Sequence, residues 1–140
     1  MKQSSASPEF AFQLDARSGV PVYRQLIDQV LGAIATGTMR AGNQLPTVRQ
    51  VAVDLAINPN TVMRAYREME IRGILDTQQG AGTFIAEQTP PANGEERVRQ
   101  LAQLASDFVA RAGSLGFSLA DLLRELHALE QGTETNRRNS

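Results

Sequence analysis

The chain has no cysteine, no tryptophan and a single histidine. Without cysteine there is neither a disulfide framework nor thiolate chemistry, which suits a reducing compartment. The one histidine, His127, does not make a metal site, because such sites need several ligands. The carboxylates are scattered, with no pairing suited to acid–base work. Lysine is almost missing: thirteen of the fourteen basic residues are arginine. No apolar run approaches the ~18–20 residues that cross a bilayer. The opening MKQSSASPEFAF carries one lysine but no apolar stretch behind it, so a signal peptide is not expected. These absences point to a soluble, cytoplasmic, non-enzymatic protein with no cofactor and no membrane partner.

At 140 residues and 41% hydrophobic content, the chain has room for one compact domain and an appendage. Its net charge is -1, but the charge is unevenly spread. From Gly37 to Ile85 five arginines stand against four acids, and from Glu95 to Gln131 four arginines stand against six. Arginine suits forked contacts with phosphate and guanine.

The pattern divides the chain into a flexible tail over 1–11, a folded domain over 12–87, a linker over 88–94, a helical hairpin over 95–131 and a disordered tail over 132–140. Phe12 and Leu14 alternate with polar neighbours as an extended lead-in. Pro21 opens a helix that runs to about Thr36. Leu26, Ile27, Val30, Leu31 and Ile34 share one face of it, and Gly37 ends it. Thr47 and Gln50 form a capping box for a second helix, whose buried stripe is Val48, Val51, Ala52 and Leu55. Ala56 and Ile57 make a turn. Asn58 caps a third helix with Pro59 at its first position, and Gly73 closes it. Strands at about 74–79 and 83–86 then flank the tip Gly80-Ala81-Gly82. In the linker two prolines stiffen EQTPPANG, and the Asn-Gly pair turns it. The expected fold is mostly α: a winged helix-turn-helix of three helices and a small hairpin, followed by two helices.

A helix presented across such a turn fits the major groove of duplex DNA. The third helix turns Val62, Ala65, Tyr66 and Met69 inward. It offers Asn60, Thr61, Met63, Arg64 and Arg67 outward. Asn60 and Thr61 lie in the first turn, where free N–H groups and the helix dipole favour a phosphate. Arg64 is placed for a base edge or a phosphate, Met63 for a thymine methyl, and Arg49 for the DNA backbone. Each has a plainer reading. Arg64 and Arg67 can pair with Glu68 or Glu70, Asn58 and Thr47 can be caps alone, and turn geometry alone accounts for Gly80 and Gly82. Gly80-Ala81-Gly82 is not a phosphate loop, because no Gly-Lys-Ser/Thr and no helix follow it.

The residues resemble the GntR family of bacterial transcription regulators. The likeness covers about Val20 to Glu87. It rests on PVYRQL, on the block G-x-x-x-x-G-x-x-L-P-T-x-R from Gly37 to Arg49, on NPNTVMRAYREMEIRG and on QGAGTFI. The NPNTV turn and the short C-terminal part are similar to the YtrA-type subfamily. The resemblance implies DNA contacts at Arg49, Asn58, Asn60, Thr61, Met63 and Arg64, and a wing, Gln79 to Gly82 with Gly80 between, laid in or near the minor groove. Met63 stands where the family often has arginine, and the wing tip has no lysine or arginine. By analogy with YtrA-type members, the resemblance implies control of a transporter operon.

The C-terminal helices carry wide apolar stripes. Val98, Leu101, Leu104, Ala105, Phe108, Val109 and Ala112 line the first, and Leu119, Leu122, Leu123, Leu126 and Leu129 the second. Ser118 caps the second with Asp121 three residues on, and Phe117 can pack on Leu122 as a staple. Gly113 to Gly116 is the connection, and Gly132 the stop. A hairpin of this size cannot bury both stripes by itself, so they must meet the first domain or a second copy. The expected dimer contacts are Leu101, Leu104, Phe108, Leu119, Leu122 and Leu126. The whole reads as a homodimeric repressor on a palindromic operator. A small-molecule effector has room but no signature. The alternative is a winged helix used for protein contacts or for RNA.

Overall fold

The computed structural model describes residues 10–88 and 93–138. In chain order they form α1 (Val22–Ala35), α2 (Val48–Leu55), α3 (Pro59–Ile71), β1 (Leu75–Gln78), β2 (Gly82–Ile85), α4 (Gly94–Ser114) and α5 (Leu119–Arg138). They divide into two compact units after Gln88. Most of the expected N-terminal tail, Pro90 and Pro91 of the linker and the last two residues lie outside the described residues.

The first unit is built on α3. Val62, Ala65 and Met69 are fully buried and Tyr66 nearly so. Their spacing of three, one and three residues puts all four on one face. They meet Leu26, Ile27 and Val30 of α1, Val51 and Ala52 of α2, and Leu75 and Ile85 of the hairpin. Burying each such aliphatic side chain contributes roughly 1.5–3 kcal/mol. Phe12 completes this core, and its neighbours Phe10 and Leu14 pack on it. Two glutamines of α1 hold this extended lead-in. Gln29 accepts from the Gln13 N–H at 2.9 Å and donates to its carbonyl at 2.5 Å. Gln25 accepts from the Asp15 N–H at 2.9 Å.

The caps follow the local chemistry. Thr47 Oγ1 accepts from the Gln50 N–H at 3.0 Å, and Asn58 Oδ1 from the Asn60 N–H at 2.8 Å. Only half of the expected capping box at Thr47 forms, because the Gln50 amide turns to Asp54 Oδ1 at 2.8 Å. After α3, Gly73 takes φ 76° while the Ile74 N–H donates to Met69 O and the Gly73 N–H to Glu70 O. This is a Schellman ending. Gly116 ends α4 in the same way. The same pair of bonds ends α2, from Ile57 to Ala52 and from Ala56 to Val53, but the left-handed residue there is Ala56 at φ 53°.

β1 and β2 pair antiparallel with Leu75 opposite Ile85 and Gln78 opposite Gly82. Residues 42–45 run along the other edge of β2. Gly42 and Leu45 donate to Ile85 and Thr83, and Ile85 donates to Asn43, each at 2.8 Å. The turn is Gln79-Gly80-Ala81, one residue earlier than expected, so Gly82 belongs to β2.

In the second unit α4 packs on α5. Its connection begins later than expected. The helix passes through Gly113 and ends at Ser114, because the left-handed glycine is Gly116. Asn93-Gly94 is a helix start rather than a linker turn. Asn93 Oδ1 accepts from the N–H groups of Glu95 and Glu96, and those acids sit where the helix dipole favours them. Ser118 and Asp121 form the full reciprocal box, at 2.9 and 3.1 Å. Hydrogen bonding from Ser118, the backbone bond first, holds the Asp121 carboxyl below its ordinary range. Gly132 does not stop α5, which continues to Arg138. An internal glycine costs only about 1 kcal/mol, and no proline follows to break the helix.

Candidate nucleic-acid interface

Asn60, Met63, Arg64 and Arg67 stand at i, i+3, i+4 and i+7 on α3, so they form one stripe opposite the buried face. All four are exposed, and Thr61 flanks them half-buried. The acids of the helix are engaged elsewhere. Glu68 pairs with Arg72 at 3.8 Å, and Glu70 accepts from the Thr77 hydroxyl at 2.6 Å. Neither carboxylate pairs with Arg64 or Arg67. Among the described residues neither the side chain of Arg67 nor that of Arg49, exposed in the first turn of α2, has a hydrogen bond or ion pair. The Arg64 guanidinium carbon lies 3.8 Å from the ring centroid of Tyr23, over its face.

The first turn of α3 differs from expectation in one respect. Its backbone donors are not free: the Asn60 N–H goes to Asn58 Oδ1, and the Thr61 N–H to Asn58 O at 3.0 Å. Pro59 has no N–H to give. What Asn60 and Thr61 can offer a phosphate is therefore a side-chain amide and a hydroxyl. Asn58 is committed to capping through Oδ1, which leaves its amide nitrogen.

α2 is locked to α3 through the Tyr66 hydroxyl, which donates to Pro46 O at 2.6 Å. Burial pushes this phenol well above its ordinary value, so it stays a neutral donor. The bond fixes the Leu45-Pro46-Thr47 entry to α2, and with it the base of Arg49. Sequence reasoning gave Tyr66 only a packing role, since its partner lies twenty residues away.

Gln79 and Gly80 are exposed at the wing tip. Gln44 Nε2 donates to Ala81 O at 3.1 Å and holds this tip. Gly82, at φ 126°, lies beneath the Gln44 amide, where a Cβ would strike it. From Gly73 to Gln88 there is no lysine or arginine, and Asp76 and Glu87 are both acidic. The wing adds shape rather than positive charge.

The chain's likeness to known proteins follows the same elements. Residues 22–85 match the bacterial regulatory proteins of the gntR family. Over a longer span that takes in these residues, the chain is 34% identical over 127 residues to the HTH-type transcriptional repressor YtrA of Bacillus subtilis (strain 168), covering 89% of this chain and 98% of that protein. The chain belongs to the gntR family. A GntR family transcriptional regulator from Listeria monocytogenes is 30% identical, with a TM-score of 0.54 over 82% of this chain and 98% of its own. YtrA from Sulfolobus acidocaldarius, a GntR-family transcription factor, is 26% identical, with a TM-score of 0.53 over 70% and 99%. These relatives are transcription regulators rather than enzymes, and the near-complete coverage of the short repressor places this gntR-family chain with the YtrA type.

In the second unit the two stripes remain open in the single chain. Leu101 is 67% exposed and Leu126 47%, while Ala112 is the only buried residue of α4. Leu101, Leu104, Phe108, Leu119, Leu122 and Leu126 line one continuous apolar groove. The buried face expected of these helices is thus uncovered here. Among the described residues no helix is long and apolar enough to cross a membrane.

Proposed function

We propose that this gntR-family protein is a homodimeric repressor that occupies a palindromic operator in duplex DNA in the cytoplasm. The observation that carries the reading is the α3 stripe: one exposed face with two arginines, free of the acids on its own helix. Arg64 and Met63 face base edges. Asn60, Thr61, Arg67 and Arg49 hold the phosphates on either side, and Asn58, Gln79, Gly80 and Gly82 shape the approach. The open groove of α4 and α5 supports association with a second copy. An uncovered run of leucines across two helices is unfavourable in water, and a twofold axis buries the same face on both chains. Such a pair presents two recognition helices about 34–36 Å apart, or a multiple of that. Repression then needs only steric occupancy of a promoter.

Selection of bound sequences from a random duplex DNA pool and, in parallel, from a random single-stranded RNA pool tests this. The expected product is a short motif in two inverted copies. Enrichment of single-stranded RNA instead, or of no duplex at all, would overturn the reading in favour of an RNA-binding or protein-contact module.

A further inference from the structure

The stack of Arg64 on Tyr23 has no equivalent at any other arginine of the described residues. Tyr23 is the second residue of α1, and α1 packs directly on α3. Its ring is half-buried against the core, so it is a fixed platform rather than a mobile side chain. Among the described residues Arg64 has no carboxylate partner. A salt bridge would occupy the guanidinium edge. A ring beneath its face leaves the N–H groups in the plane free, and that edge is what a forked contact with a base requires. An arginine otherwise loses rotamer entropy when it is fixed on binding, and a platform in the free protein lowers that cost.

We infer that Tyr23 is the positioning residue that makes Arg64 specific. It holds the guanidinium in one pose, aimed at one base pair in each half-site, where an unsupported arginine would settle on any nearby phosphate. The inference rests on the reading of α3 as the duplex-reading helix.

The test compares Tyr23→Leu, which keeps an apolar side chain without a π face, with Tyr23→Phe, which keeps the face. Tyr23→Met is a second ring-free variant should leucine unsettle α1. Matched duplexes and duplexes changed at single base pairs are titrated with each variant. Tyr23→Leu is expected to lower discrimination at one position of the half-site by about 2- to 5-fold, the size of an exposed cation–π contact. Affinity for scrambled duplex and the salt slope stay unchanged, because no charge is removed. Tyr23→Phe keeps the wild-type preference, and in an Arg64→Ala background Tyr23→Leu loses nothing further. In the free wild-type protein, ring current shifts the Arg64 δ-protons upfield of those of other arginines. Undiminished discrimination in Tyr23→Leu, an equal loss in Tyr23→Phe, an equal loss without Arg64, or ordinary δ-proton shifts would each overturn the inference. If the wild type shows no sequence preference, the DNA-reading role itself fails and this inference with it.

Discussion

Replacing Tyr66 by phenylalanine removes one oxygen from the joint between α2 and α3 and leaves the ring in place. The hydroxyl donates to Pro46 O at 2.6 Å from a side chain only 3% exposed. Its loss removes a hydrogen bond worth roughly 0.5–1.5 kcal/mol and leaves a carbonyl without its partner, so about 1–2 kcal/mol is expected at pH 8. For a unit of this size that is a fall in Tm of roughly 4–8 °C per kcal/mol. The pH dependence gives a second, independent signature. The phenol's folded pKa lies above its unfolded value near 10. Its contribution is therefore complete below pH 10 and is lost as the pH climbs from there toward the folded value. At pH 11 the wild type has lost about 1.4 kcal/mol through this group, by linkage. The variant has no such group, so the gap between the two proteins closes to near zero by pH 11. The alkaline limb is simple to read, because the chain has no cysteine and only two tyrosines. Urea titrations of both proteins at pH 8 and 11 check this. Equal stability at pH 8, or a gap that persists unchanged at pH 11, would refute the reasoning.

Three further outcomes follow from single residues. Ala56→Gly is expected to stabilise the first unit by about 0.5–1 kcal/mol, since the left-handed backbone at φ 53° costs alanine more than the unfolded-state entropy costs glycine; a lower Tm would contradict this. Arg49→Ala is expected to leave stability within about 0.5 kcal/mol, weaken matched and scrambled duplexes alike, and reduce the salt slope by about 0.9 per half-site; an unaltered slope in a salt series counts against a phosphate contact. Leu126→Asp is expected to raise the dimer dissociation constant at least about 100-fold, as an unpaired carboxylate in an apolar interface costs ~3 kcal/mol or more; sedimentation that still shows a full dimer at the same concentration would remove α5 from the interface.

What could be read from the residues was local. The inward face of α3, its Asn58 cap, the Pro59 start and the Gly73 ending each depend on neighbours within one or two turns, and all stand as expected. The lead-in alternation at Phe12 and Leu14 was equally plain, although the glutamines that hold it came from a helix away. Punctuation misled where glycine was taken as a stop on its own. Gly113 sits inside α4 because the left-handed position falls three residues later, at Gly116, and Gly132 sits inside α5 with no proline after it, whereas Ala56 performs the glycine role with no sequence cue. Asn93 was legible in principle, since an asparagine before two acids is a helix start. The first-turn donors of α3 could not be assigned before the cap geometry was known. The Tyr23 platform and the Tyr66 bond to Pro46 join residues far apart in the chain, and periodicity carries no signal for either.

The central claim is that the outer stripe of α3 reads sequence in duplex DNA. Anisotropy titration of the wild type and Arg64→Ala, each on a selected duplex and on its scrambled counterpart, tests it most directly. The account predicts a preference of about a thousandfold or more in the wild type. It predicts that Arg64→Ala loses about 5- to 150-fold per half-site on the selected duplex alone, the worth of one forked base contact. Equal wild-type affinity for both duplexes, or an Arg64→Ala protein that binds the selected duplex as tightly as the wild type, would contradict it.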